Sequence, residues 1–302
     1  MKFLLFSDLH YAPTIFRSLG WDALHTFQRR AEENGCDFII HTGDLSHSSL
    51  LVPDFIKAYN DFHIPSYHCL GNHDSDRCSI EQVIRDYKMP GEYYFFDKCG
   101  YRMIILNPNY YKEDGEYIRY SNGNYFAHPR GRDFVPPKQV EWFKETVDSS
   151  PYPCIIFSHE SFERCDGVQN RQEILDIIDQ ANKKSPHSVI MCINGHHHRD
   201  FIRIRNNVIY FDMNSASFDW VEKEHDLFPK EETDLYECMT NTVCFNDPLH
   251  AIITVDGTTV TIEGMKSSMY HGITREMSGN RAFDSAGRPV TPFVQSAKIT
   301  LG

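Results

Sequence analysis

Residues 1–10 read MKFLLFSDLH, and this short stretch decides the fold. Residues 3–6 are an unbroken apolar run, the pattern of a strand buried on both faces of a parallel sheet. The run leads directly into Asp8 and His10, two metal-binding side chains two positions apart. On an extended strand end that spacing points both to one side and Leu9 elsewhere. The same sentence recurs along the chain. Residues 38–40 precede Gly43-Asp44, and a strand expected at 66–70 precedes Gly71-Asn72-His73-Asp74. Residues 154–157 precede Ser158-His159-Glu160, and residues 189–193 precede Gly195-His196-His197-His198. His196 and His198 repeat the spacing of the first pair, with His197 expected to point away. A parallel sheet gathers the carboxyl ends of its strands at one crevice, so these scattered side chains can converge on one point.

Helical patterns alternate with these strands. They cover 20–34 (Trp21, Leu24, Phe27 and Ala31 in phase, Gly35 as the stop), 53–62 opened by Pro53, 79–87 capped by Ser79, 137–147 and 170–182. Further strands are expected at 93–97 and 101–106, then at 201–205, 208–212, 250–255 and 259–263, the last four antiparallel. The alternation reads as an α/β sheet with helices on its faces. Residues 107–135 break the rhythm and are expected as an insertion over the site mouth. Its Tyr110, Tyr111, Tyr117, Tyr120 and Tyr125 would either stack on a substrate or pack among themselves. Residues 218–247 form a second, acidic loop. The expected organisation is one domain over 1–265 followed by a patternless extension over 266–302.

With 302 residues, 41% hydrophobic and 13% aromatic, the chain can bury a substantial core. Its net charge of −12 argues against a general nucleic-acid binder, because phosphate backbones reward clustered lysine and arginine. No apolar stretch reaches membrane-spanning length. The apolar start is interrupted by Ser7, Asp8 and His10, too short for a signal peptide, so a cytoplasmic location is expected. Nine cysteines without repeated spacing predict reduced, structural thiols, with Cys238 and Cys244 the pair in polar surroundings.

In this order the five segments resemble the calcineurin-like metallophosphoesterase superfamily, whose signature runs Asp-x-His, Gly-Asp, Gly-Asn-His-(Asp/Glu), His, Gly-His-x-His. The match spans roughly residues 1–212. The resemblance implies an α/β fold, a four-layer α/β/β/α sandwich with two mixed sheets. It implies two divalent metal ions, one held by Asp8, His10, His198 and a bridging Asp44, the other by Asp44, Asn72, His159 and His196. Oxygen and imidazole donors without thiolate suit Mn, Fe or Zn. His73 matches the catalytic histidine, a general acid for the leaving oxygen, and Asp74 is placed to hold it in the useful tautomer. A hydroxide bridging the ions would attack phosphorus.

Substrate expectations rest on departures from the pattern. Gly43-Asp44 continues as Leu45-Ser46-His47, without the Asp-Arg pair of the superfamily's protein phosphatases, and looks closer to its cyclic-nucleotide phosphodiesterase and nucleotide-diphosphate hydrolase branches. Asn107 follows Leu106 where those branches often place an aspartate. The expected activity is a phosphodiesterase or pyrophosphohydrolase acting on a small nucleotide-like phosphate. A phosphomonoesterase and a metal-binding scaffold without catalysis are the alternatives; a nuclease is disfavoured by the acidity. His41 and His47, flanking Gly43-Asp44, are expected as exposed loop histidines, with support of the ligands or substrate contact as the alternative; Arg77 and Arg199 are expected as solvated surface residues, with phosphate contact as theirs.

Overall fold

The computed structural model describes residues 1–284 and 287–302. Two six-stranded mixed sheets lie face to face with helices outside, giving the expected four-layer order. In the first, Lys2–Phe6, Phe38–His41 and Ser66–His68 are parallel neighbours. Ala251–Asp256, Thr259–Gly264 and Ala297–Thr300 extend it antiparallel from the other side of the first strand. The tail thus ends in an ordered edge strand, and Ile299 packs on the core. Its alternation of small, basic and apolar residues was too short to be read as a strand in isolation.

In the second sheet Tyr101–Ile105, Cys154–Phe157, Val189–Asn194 and Val208–Asp212 run parallel. Tyr94–Lys98 and Phe201–Arg205 are its antiparallel edges. Val208–Asp212 was expected antiparallel; it pairs that way only with Phe201–Arg205 and lies parallel to Val189–Asn194. The cause is the two-residue turn Asn206-Asn207, both at positive φ (49° and 61°), which folds the hairpin back so that its second strand enters the sheet.

All-apolar strands make sense here because both faces are covered. Phe3 stacks on Phe38 at 4.8 Å and meets Phe157 of the opposite sheet edge-on at 6.0 Å. Phe6 instead stacks at 4.2 Å on Phe27 of helix Gly20–Glu33. Such pairs contribute about 0.5–1.5 kcal/mol beyond area burial. Ile104 and Ile156 face outward onto Phe143, Ile174 and Ile178 of helices Pro137–Asp148 and Arg171–Lys184. Ser79 caps helix Ile80–Asp86 as expected, accepting from Gln82 N at 3.2 Å.

A buried charge network ties the tail to the body. Arg288 pairs with Asp212, Arg275 with Asp219 at 3.1 Å, and Arg199 with Asp219 at 2.7 Å. Arg199, expected in solvent, is therefore a buried structural cation, while Arg77 is exposed. Breaking a buried pair by removing one partner leaves an uncompensated charge. Arg288→Ala is expected to lower unfolding free energy in urea by about 3 kcal/mol; an unchanged midpoint would contradict this. All nine cysteines are free, Cys244 buried and Cys238 partly so. Among the described residues no helix is long and apolar enough to cross a membrane.

Candidate metal centre

The five segments meet at the carboxyl ends of the parallel strands, but not as extended strand ends. Asp8, His10, Asp44, His196 and His198 all lie in left-handed backbone, with φ of 51°, 51°, 51°, 66° and 50°. Each such non-glycine residue costs about 1–3 kcal/mol, strain typical of sites whose geometry is imposed by the surrounding fold. The i, i+2 pairs converge because the loops kink, not because the strands continue. Glycines permit the crowding. A Cβ on Gly71 would fall on the Asp44 carboxylate and backbone nitrogen, and one on Gly195 on Ser7 Oγ and the Asp8 carboxylate.

Two groups of donors result. In one, His10 Nε2 and His198 Nε2 are 3.1 Å apart, and Asp8 Oδ1 is 3.3 Å from His198 Nε2. In the other, Asn72 Oδ1 is 3.2 Å from His159 Nε2 and 3.0 Å from His196 Nδ1, with those two nitrogens 3.2 Å apart. Asp44 Oδ2 stands between them, 3.7 Å from His10 Nε2 and 3.1 Å from His159 Nε2. All seven residues singled out as metal donors from the sequence are thus brought together.

The hydrogen bonds on the far side of the rings say what fits between them. His198 Nδ1 lies 2.7 Å from Phe218 O and His159 Nδ1 lies 2.6 Å from Thr42 O. A carbonyl only accepts, so both Nδ1 atoms carry hydrogen, and with a cation between them each ring presents its Nε2 lone pair inward. Inward lone pairs, two carboxylates and an amide oxygen converge at separations of 3.0–3.8 Å. That is a cation's donor set, and its oxygen–imidazole chemistry fits two divalent ions. Burial opposes charge on His159, yet the Asp44 and Asp8 carboxylates carry its pKa well above the ordinary histidine value. The imidazoles of His159, His73 and His10 hold Asp44 well below the usual carboxylate range against the effect of its burial.

Asp74 does not hold His73, contrary to the sequence-based expectation. Its Oδ2 accepts from Gly71 N at 2.8 Å and Asp44 N at 3.1 Å; its Oδ1 accepts from Tyr87 Oη at 2.6 Å and Ser46 N at 3.2 Å. Asp74 therefore clamps the two loops that carry Asn72 and Asp44. Burial and the Asp44 charge push it up to about 7 despite these donors. The partner of His73 is Asp76, whose Oδ2 lies 2.8 Å from His73 Nδ1. Tyr125 Oη donates to Asp76 Oδ1 at 2.8 Å and lies 3.1 Å from His73 Nδ1. His47 is also buried: Nδ1 meets Asp76 Oδ2 at 3.1 Å and Nε2 meets His10 Nδ1 at 2.9 Å. One carboxylate thus anchors His73 directly and the donor His10 through His47. The turn His73–Ser75 explains the reach, since i and i+3 eclipse on a 3-10 helix. The His73-x-x-Asp76 spacing was a legible signal for it.

The insertion reaches the site differently from expectation. Tyr110, Tyr111, Tyr120 and Tyr125 are buried; Tyr120 stacks on Tyr125 at 4.5 Å, and Tyr117 packs edge-on to Phe134 at 5.8 Å. The exposed ring is Phe126, 60% accessible and 6.1 Å from His73. Trp220, from the second loop, lies 6.4 Å from His73 and 5.9 Å from His10. Arg132 sits over the Tyr125 ring at 5.7 Å, and its charge acts on His196. His41 is buried too, bonded to His68 at 2.8 Å, away from any loop surface. His197 lies apart from the donor groups, beside Asp166 at 3.5 Å.

Comparison with known proteins agrees with this geometry. A dimetal phosphatase from Danio rerio superposes with a TM-score of 0.63 at 12% identity, covering 100% of this chain and 99% of that one. GAP50, the anchor in the inner membrane complex of Plasmodium, gives 0.57 at 12% identity, with 100% and 89% covered. These likenesses concern the fold. No curated protein matches the sequence. The family model for calcineurin-like phosphoesterases matches residues 1–200, two thirds of the chain. The chain therefore belongs to the calcineurin-like phosphoesterase family, as a metal-dependent hydrolase of phosphate esters.

Proposed function

We propose that the protein hydrolyses a phosphodiester or pyrophosphate bond in a small nucleotide-like substrate. The observation that carries this reading is His73 standing beside the full donor set, with the rings of Phe126 and Trp220 6.1 and 6.4 Å away. Two divalent ions, when bound, would supply an activated water and concentrated positive charge for in-line displacement at phosphorus. Asp8, His10 and His198 would hold one, Asn72, His159 and His196 the other, and Asp44 both. Asp76 and Tyr125 fix His73 through Nδ1, leaving Nε2 without a hydrogen-bond partner among the described residues. From Nε2 a proton can pass to the leaving oxygen as its bond to phosphorus breaks. The two rings offer an apolar seat for a planar group, and Arg132 a cation for a phosphoryl oxygen.

The fold by itself does not select catalysis, since GAP50 shares it as an anchor. The complete donor set together with a held His73 favours chemistry. The test is a panel of diesters, pyrophosphates and monoesters with added Mn. Diester or pyrophosphate turnover should exceed monoester turnover. Phe126→Ala should raise KM roughly 10-fold for substrates bearing a base, with little change for those without one. Monoester rates far above the rest would make the protein a phosphomonoesterase instead.

A further inference from the structure

Glu160 follows the donor His159 and is fully buried. Neither of its carboxylate oxygens has a hydrogen-bond partner among the described residues. No lysine or arginine among them is within ion-pairing distance; burial opposes the Glu160 charge most, the adjacent His159 ring favours it, and the Asp133 carboxylate opposes it further. A buried carboxylate in that condition is costly unless a cation compensates it. The nearest compensating place is defined by geometry. One Glu160 oxygen and one ring nitrogen each of His159 and His196 lie within 4.8 Å of one another. His159 and His196 are two of the four donors of the second metal position, which otherwise has a single, shared carboxylate.

We infer that Glu160 supplies a further oxygen donor to the ion held by Asp44, Asn72, His159 and His196. The inference rests on the dimetal reading above and adds to it. With Glu160 this position has three oxygen donors, from Asp44, Asn72 and Glu160, against two, from Asp8 and Asp44, at its neighbour. It should therefore favour an oxygen-preferring ion such as Mn over Zn there. The unsatisfied oxygens, hard to explain in a metal-free protein, are satisfied when the position is filled.

The experiment is titration of the metal-stripped full chain with Mn, followed by calorimetry and by electron paramagnetic resonance. It compares wild type with Glu160→Gln, which keeps shape, and Glu160→Ala. Circular dichroism establishes that the variants are folded. Wild type should bind two Mn. In both variants one of the two should weaken by about 10–100-fold, the range seen when an orienting or ligating group is lost. The metal-free Glu160→Gln protein should melt at or above the wild-type temperature, and its rise in Tm on adding Mn should be smaller. Wild-type affinity for both ions in both variants, with an unchanged Mn-induced rise, would overturn the Glu160 assignment alone. Failure of the wild type to bind Mn would overturn it together with the dimetal reading.

Discussion

Asp44→Asn is expected to release both ions at once and to lower kcat/KM by at least about 10²–10³-fold, the scale of losing one preorganised electrostatic group. The substitution preserves size, so the effect isolates charge. Asp44 Oδ2 lies 3.1 Å from His159 Nε2 and 3.7 Å from His10 Nε2, one from each donor group. Its Oδ1 is already engaged, accepting from His73 N at 2.8 Å. An amide has one oxygen and no charge, so it cannot serve two cations and also take that backbone hydrogen bond. Elemental analysis after gel filtration, alongside kinetics, gives the readout. Asp8→Asn is the comparison, because Asp8 belongs to one group and should cost one ion preferentially. Retention of two ions and full activity by the Asp44 variant would remove the shared position from the mechanism.

His73→Ala should leave metal content near normal while lowering kcat by about 10²–10⁴-fold on substrates with poor leaving groups. The loss should shrink on activated esters, whose leaving oxygen needs no proton. That dependence separates an acid from a residue that merely packs. Asp76→Asn should follow the same leaving-group trend with a smaller loss, because it disturbs the ring through Nδ1 without removing it. Asp74→Asn should behave differently. Its single remaining oxygen can serve only one of the two pairs, Gly71 and Asp44 or Tyr87 and Ser46, so metal content and stability should suffer for all substrates alike. Equal losses on good and poor leaving groups in His73→Ala would overturn the acid role.

The contrast between Asp74 and Asp76 shows how far one-dimensional reading goes. Adjacency suggested Asp74 as the partner of His73, but a helical turn places the third residue, not the next, beneath a ring. His47 was misread as an exposed loop residue for a related reason: nothing in Leu45-Ser46-His47 reveals that two loops close over it. The tyrosines of the insertion were legible as a cluster, yet whether they face a substrate or each other depends on how the hairpin Tyr110–Glu113 and Glu116–Arg119 lies. It turns them inward and leaves Phe126 outside.

The donor identities, their order and the strands that carry them were determined by the sequence itself, because buried parallel strands must be apolar and their ends must meet. The four layers follow from the same runs: residues such as Phe3 and Phe6 point to opposite faces, and each face needs a cover. Tertiary structure alone decided the rest. The left-handed kinks at Asp8, His10, Asp44, His196 and His198 are conformations these residues would not choose, held in place by contacts between segments distant in the chain. The Tyr125 hydroxyl beside His73, the unsatisfied carboxylate of Glu160 and the ring of Trp220 near His10 are likewise set by approach across loops. Local residue preferences carry no information about such approaches, since their energy resides in the packing of the whole.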